Sequence, residues 1–302
     1  MEVDQVPTGV GWTGLLTAYS RAQESQKEDR LFEDPLAAEF VAAARGDRSD
    51  GNERLPRLGP AKDDGSSTLW NLLSFYFTQR TPFYDHRLLV AIGQGCRQVV
   101  LLGAGFDARA FRLDLPDDVT VFEVDQAVVL EFKQRILDRK GLVPRCTRTL
   151  VLADLRQDIS DALEAAGFQP KQPTVWLAEG LLMYFTRGQA DRLLADVTKL
   201  SAPGSRIIGE YFTRRWGNED VNYDQLDAGD QAAWDLLMRE FLYGPVVDTP
   251  GDWLSSHGWA PGETTTVARL GREGTRMVPP ELRRPQSADV WLFDGSKPVT
   301  SD

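Results

Sequence analysis

An apolar run, Val99-Val100-Leu101-Leu102, breaks at Gly103-Ala104-Gly105 and reopens into helix-compatible sequence at Phe106-Asp107-Ala108-Arg109. No other segment constrains the fold as much. Glycines directly after a strand let the backbone turn sharply and approach a ligand, and the unpaired N–H groups that open the next helix favour an anionic group. Such a turn builds a nucleotide-type cofactor cradle and favours a small-molecule enzyme. Buried strands also end at glycine for structural reasons alone, so the turn needs support from the rest of the chain.

That support begins with spacing. Strand-like runs occur at Gln98 to Gly103, Thr120 to Asp125, Thr149 to Ala153, Thr174 to Glu179 and Arg206 to Tyr211, and all but the last lead into a helix-compatible segment or loop. Thr264 to Leu270 and Ala288 to Phe293 are expected to close the sheet as an antiparallel pair, after a final helix over Asp252 to Gly258 stopped by glycine. The alternation predicts an α/β fold: a doubly wound, mostly parallel seven-stranded sheet with helices on both faces. Ahead of it, Gly14 to Phe40 reads as helix in pieces, interrupted at Arg30-Leu31-Phe32-Glu33-Asp34-Pro35 by the proline. Ala44 to Ser67, rich in Gly, Asp, Arg and Pro, reads as a mobile connection or flap. From Leu69 to Ile92 apolar periodicity returns, with Trp70, Phe75, Tyr76, Phe77, Phe83 and Tyr84 expected in helices packed on the core. Trp216 to Asp252 reads as an insertion, polar first and then amphipathic around Trp234, Leu237, Phe241 and Leu242. The expected organisation is one domain over residues 1–302, with an N-terminal helical cap (1–95), a cofactor-binding core (96–210), a lid insertion (211–259) and closing antiparallel strands (260–302).

A chain of 302 residues with 42% hydrophobic and 10% aromatic content can bury a sizeable core. Its formal net charge of −11 and pI near 4.8 disfavour nucleic acid and anionic lipid as partners, since both require clustered Lys and Arg. No apolar run approaches the roughly 18 residues that cross a bilayer, and Met1-Glu2-Val3-Asp4 lacks the features of a secretory signal, so the expected location is cytoplasmic. Cys96 and Cys146 stand far apart without ligand-spaced neighbours, so no metal site is expected.

In an open parallel sheet the ligand lies beyond the carboxyl ends of the strands. Acidic residues stand there: Asp125 after the second strand, Asp154 after the third and Glu179 after the fourth. Asp125 follows the glycines at the spacing expected of a ribose partner, because a carboxylate accepts two hydrogen bonds from a vicinal diol. Carboxylates at strand ends also cap helices or remain solvated. Gly103-Ala104-Gly105-Phe106-Asp107-Ala108 also fits the Gly-x-Gly-x-x-Ala dinucleotide fingerprint, which leaves a nicotinamide-dependent oxidoreductase open. A pyrophosphate is poorly served by a ring of carboxylates, whereas the sulfonium and ammonium of S-adenosyl-L-methionine suit one.

Leu102-Gly103-Ala104-Gly105-Phe106-Asp107, Phe122-Glu123-Val124-Asp125, Ala153-Asp154-Leu155-Arg156 and Ala178-Glu179-Gly180-Leu181-Leu182-Met183-Tyr184 together resemble the leucine carboxyl methyltransferase family, including its bacterial members of unassigned substrate. Arg30 to Pro35 and Trp253-Leu254-Ser255-Ser256-His257-Gly258-Trp259 are similar to family segments as well. The resemblance implies a class I methyltransferase-like Rossmann fold using S-adenosyl-L-methionine. It places Gly103, with Ala104 and Gly105, against the methionine part of the cofactor, Asp125 on the ribose, Asp154 and Leu155 at the adenine, and Glu179 near the donor amino group. Arg80 matches the family arginine that pairs with the cofactor carboxylate, and Arg21 matches a second basic position.

Acceptor chemistry follows from acidity. A carboxylate with pKa near ~4 is ionised at neutral pH, whereas a phenol near ~10 needs a base or costs roughly 4 kcal/mol. The two histidines, His86 and His257, are remote in sequence from the cofactor motifs, which favours a carboxylate on a small molecule, natural product or peptide terminus. A phenol or alcohol acceptor is the alternative within the same chemistry. Tyr184 is the candidate for orienting the acceptor through its hydroxyl. The sequence gives no oligomeric state.

Overall fold

In the computed structural model, which describes residues 6–46, 55–245, 249–274, 276–283 and 288–299, the apolar runs form the middle of a seven-stranded sheet. Its strands are β1 (Gln98–Leu102), β2 (Thr120–Asp125), β3 (Thr147–Leu152), β4 (Thr174–Ala178), β5 (Arg206–Phe212), β6 (Ala260–Thr266) and β7 (Val290–Ser296). They lie in the order β3-β2-β1-β4-β5-β7-β6. The first five pair in parallel, and β7 runs antiparallel to β5 and β6. β1 and β4 are buried along their whole length, and both are continuous apolar runs after their first residue, as strands covered on two faces must be.

The helices are α1 (Val10–Ser25), α2 (Pro35–Gly46), α3 (Thr68–Gly93), α4 (Arg109–Arg112), α5 (Ala127–Arg139), α6 (Ser160–Ala165), α7 (Arg187–Lys199), α8 (Ala228–Glu240), α9 (Pro250–Ser256) and α10 (Val267–Glu273). Val99 and Leu101 of β1 join the hydrophobic cluster built with α1, α2, α3, α5 and α8, whereas Val100 and Leu102 join the cluster built with α6, α7 and α9. Alternate side chains of one strand thus serve opposite layers. Among the described residues no helix is long and apolar enough to cross a membrane.

Strand order reverses between β1 and β4, which opens a crevice beyond their carboxyl ends. Gly103 follows β1 and Glu179 follows β4, so the topology alone brings these residues to one place.

Several local features differ from expectation. Pro35 begins α2 rather than merely interrupting a helix: Asp34 Oδ1 accepts from the N–H groups of Leu36 and Ala37, both at 3.2 Å, and proline is suited to a first helical position. Leu69 to Ile92 is one helix, α3, running through Pro82, and the six aromatic residues named on it are all buried. Part of the polar connection, 47–54, lies outside the described residues. The flanks of that connection are packed: Ala44 and Leu58 are buried, and Arg57 reaches Asp227 and Asp230 at 2.6 and 2.5 Å, tying this segment to α8. The closing antiparallel pair forms, but β6 starts at Ala260 and carries a register shift between Pro261 and Thr264. Leu270, expected in that strand, is helical, because Thr266 Oγ1 accepts from Arg269 N–H and opens α10. The helix stopped at Gly258 is therefore not the last.

Candidate functional site

One cavity at the crevice is lined by every residue the sequence singled out for the site: Arg21, Arg80, Gly103, Ala104, Gly105, Asp125, Asp154, Leu155, Glu179 and Tyr184. Its floor is the glycine turn. Gly103 and Gly105 have φ of 67° and 47°, in the left-handed region that disfavours side chains. A Cβ on Gly103 would also come within 2.9 Å of Leu181 Cδ1. The N–H groups of Gly103 and Ala104 donate to the Val124 carbonyl at 2.9 and 3.0 Å, which holds the turn against β2. Gly103→Ala is expected to lower unfolding free energy by about 1–3 kcal/mol through the strained backbone, read as an earlier denaturant midpoint. An unchanged midpoint would show that the turn tolerates another conformation.

Asp125 is fastened to this turn. Its Oδ2 accepts from the Gly105 N–H and its Oδ1 from the Gln126 N–H, each at 2.7 Å. Burial pushes the Asp125 carboxyl above its ordinary value, against the pull of those two bonds. A carboxylate has about four lone-pair sites, so two stay available for a diol.

Glu179 sits between two guanidinium groups. Its Oε1 accepts from Arg80 Nε at 3.1 Å, and its Oε2 pairs with Arg109 Nη2 at 2.7 Å. Arg109 also pairs with Asp107 and, at 2.7 Å, with Asp85. Arg80 Nη1 donates to Glu210 Oε1 and to the Tyr76 hydroxyl, each at 2.5 Å, while Glu210 Oε1 also accepts from the Gly180 N–H at 2.7 Å. The Nη2 of Arg80 donates to no group among the described residues. Burial pushes the Glu210 carboxyl up to about 7 despite Arg80. Asp107 is only partly buried, and Arg109 and Lys133 outweigh its desolvation and hold it at about 2. Asp154 is paired by Arg156, whose Nε and Nη2 approach at 2.9 and 2.8 Å, and this hydrogen bonding lowers its carboxyl below the usual value. Two of the three strand-end carboxylates are thus matched by arginines. The cavity carries both signs of charge rather than a ring of unpaired anions.

Arg21 braces the cap against the turn: Nε pairs with Asp34 at 2.8 Å and Nη2 donates to the Phe106 carbonyl at 2.7 Å. Leu155 stands 3.8 Å from the position of a Gly103 Cβ. Tyr184 lies in a short 3-10 turn, Leu182–Tyr184, with its hydroxyl 2.5 Å from Thr13 Oγ1 of α1. Thr13 donates to the Val10 carbonyl at 2.6 Å, so the phenol is the donor between the two. Burial pushes the Tyr184 phenol up to about 12. Neither histidine lines the cavity.

Sequence reasoning missed Arg109, Asp107, Glu210, Tyr76 and Thr13. Glu210 lies near the end of β5, and the strand-end rule that selected Asp125, Asp154 and Glu179 reaches it too. Arg109 lies four positions past Gly105, but its partners come from α3, the glycine turn and the end of β4, and no local pattern joins them.

A family profile described as leucine carboxyl methyltransferase matches residues 14–198. A Parafrankia protein named as an S-adenosyl-L-methionine-dependent methyltransferase is 41% identical over 287 residues, covering 93% of this chain and 84% of its own. A Streptomyces avermitilis protein of the same naming is 38% identical over 278 residues, covering 92% of each chain. These names state a donor and no acceptor. A Thermobifida fusca crystal structure described as a methyltransferase superposes with a TM-score of 0.56 at 15% identity, covering 98% of this chain and 97% of its own, a likeness of fold. No relative reported supports the nicotinamide alternative.

Proposed function

Since the chain belongs to the leucine carboxyl methyltransferase family and is an S-adenosyl-L-methionine-dependent methyltransferase, we propose that it methylates a carboxylate oxygen of a small molecule, natural product or peptide terminus. The cavity fits the donor on four counts: a side-chain-free turn at Gly103, two open acceptor sites on Asp125, an uncommitted Arg80 Nη2 and a carboxylate at Glu179. Asp125 takes the ribose diol, Arg80 the amino-acid carboxylate and Glu179 the ammonium group. Asp154 and Leu155 flank the adenine, Gly103, Ala104 and Gly105 give the backbone close approach, and Arg21 supplies a second cation beside the turn. When bound, S-adenosyl-L-methionine supplies an electrophilic methyl carbon: the O–C bond forms as the C–S bond breaks, the electron pair stays on sulfur and no proton moves.

The observation that carries the carboxylate reading is the described cavity lining, which holds neither a histidine nor an ionised phenol to take a proton from a phenolic acceptor. Neither histidine lines the cavity, and the lining phenol of Tyr184 is held protonated by burial. An acceptor that ionises on its own needs only positioning, which contributes roughly 7–11 kcal/mol in well-oriented reactions. Tyr184, its proton given to Thr13, serves as wall there, and Trp216, Leu237 and Phe241 of the insertion line the site as parts of a lid.

The test is the chemistry of the product. Incubation with methyl-labelled donor and a panel of carboxylic acids, phenols and peptides is expected to give label that mild alkali releases as methanol, the behaviour of a methyl ester. The rate is expected to be flat from about pH 6 to 8, because an acid of pKa near ~4 is ionised throughout, whereas a phenol would gain about tenfold per unit. Alkali-stable label with that tenfold rise would overturn the carboxylate reading.

A further inference from the structure

The cavity has a second end that the donor does not explain. Beyond Arg80 it is walled by Leu73 and Phe77 of α3, Met183 after β4, and Trp216, Leu237 and Phe241 of the insertion. Aromatic contacts join this wall: Tyr184 to Phe241 at 5.2 Å, Tyr76 to Phe77 at 5.0 Å and Tyr76 to Trp216 at 6.1 Å between ring centroids. The insertion contributes no charged side chain to the lining. All lining charges, Arg21, Arg80, Asp107, Arg109, Asp125, Asp154, Arg156 and Glu179, stand around the glycine turn and strand ends. Trp216 is buried and backs this wall, edge-on to Tyr76 and stacked on Trp234 at 6.1 Å.

We propose that this chamber selects a monocarboxylic acid whose body is apolar and uncharged, an aryl or alkyl acid, over a dicarboxylate or a peptide terminus. The proposal rests on the carboxylate reading above and narrows it. Arg80 lies over the Tyr76 and Phe77 rings at the donor end, so a second charge carried to the Trp216, Leu237 and Phe241 side would be stripped of water among lining side chains that offer no counter-ion, whereas an apolar body gains the burial.

The test separates binding from transfer. Phenylbutyric acid, octanoic acid, succinic acid and glycyl-glycyl-leucine are titrated calorimetrically into the full chain saturated with S-adenosylhomocysteine. The two apolar acids are expected to bind at least tenfold tighter than succinic acid and the tripeptide. Phe241→Asp is expected to weaken them at least tenfold, with S-adenosylhomocysteine affinity kept within twofold as the control for folding. Equal binding of the doubly charged probes overturns the proposal. So does a lack of binding by both apolar acids in protein that still binds S-adenosylhomocysteine. If an apolar acid binds but gains no methyl ester when the methyl donor is supplied, the chamber stands and the carboxylate reading falls.

Discussion

Asp125→Ala is expected to weaken S-adenosyl-L-methionine binding by about 10- to 150-fold, equivalent to roughly 1.5–3 kcal/mol for hydrogen bonding to a charged group. The carboxylate is the link between turn and ribose: backbone N–H groups of Gly105 and Gln126 hold one side of it, and its remaining acceptor sites are the ones proposed to meet the diol. Removing it takes away both contacts and loosens the turn that must lie beneath the ligand. Asp125→Asn tests the charge separately. Its amide must turn an N–H₂ toward one of two backbone donors, so it is expected to recover little. Titration calorimetry checks both variants, and unchanged affinity would remove Asp125 from the ribose role.

Arg80 is expected to show the second large effect, on folding and on donor binding together. Arg80 is nearly fully buried, and its removal would leave Glu210 without its cation and Glu179 with one of two. Taking one partner from a buried ion pair costs roughly 3–5 kcal/mol, so Arg80→Ala is expected to lower unfolding free energy by an amount of that order. Arg80→Lys keeps the charge but loses the planar fork, and it is the variant that isolates the ligand contact. With Arg80→Lys, affinity for S-adenosyl-L-methionine is expected to fall while affinity for adenosine, which has no amino-acid carboxylate, stays constant. Equal losses for both ligands would make Arg80 a structural residue alone.

The legible part of this protein was whatever local pattern encodes. β1 and β4 announce themselves as apolar runs because both faces are covered, and Gly103 and Asp125 stand out because a turn and a diol partner need those residue types at that separation. β6 was misplaced because Thr264-Thr265-Thr266-Val267 reads as β-branched strand, while the hydroxyl of Thr266 turns the chain into α10. The electrostatics of the site depend on distant pairings. Glu179 looks like a bare strand-end anion until α3 brings Arg80 to it and the glycine segment brings Arg109. Its contact with Arg80 closes a separation of 99 residues, about a third of the chain, and periodicity carries no record of it. The same holds for Tyr184, whose proton is committed to Thr13 on the first helix.

The central claim is that the crevice between β1 and β4 seats the methyl donor on residues of both charge signs. A crystal structure with S-adenosylhomocysteine tests it most directly. The account predicts the ribose hydroxyls on Asp125, the amino-acid carboxylate on Arg80, the ammonium group at Glu179 and the chain passing over Gly103. A ligand bound elsewhere, or lying in the crevice with Asp125 and Arg80 turned away from it, would contradict the account.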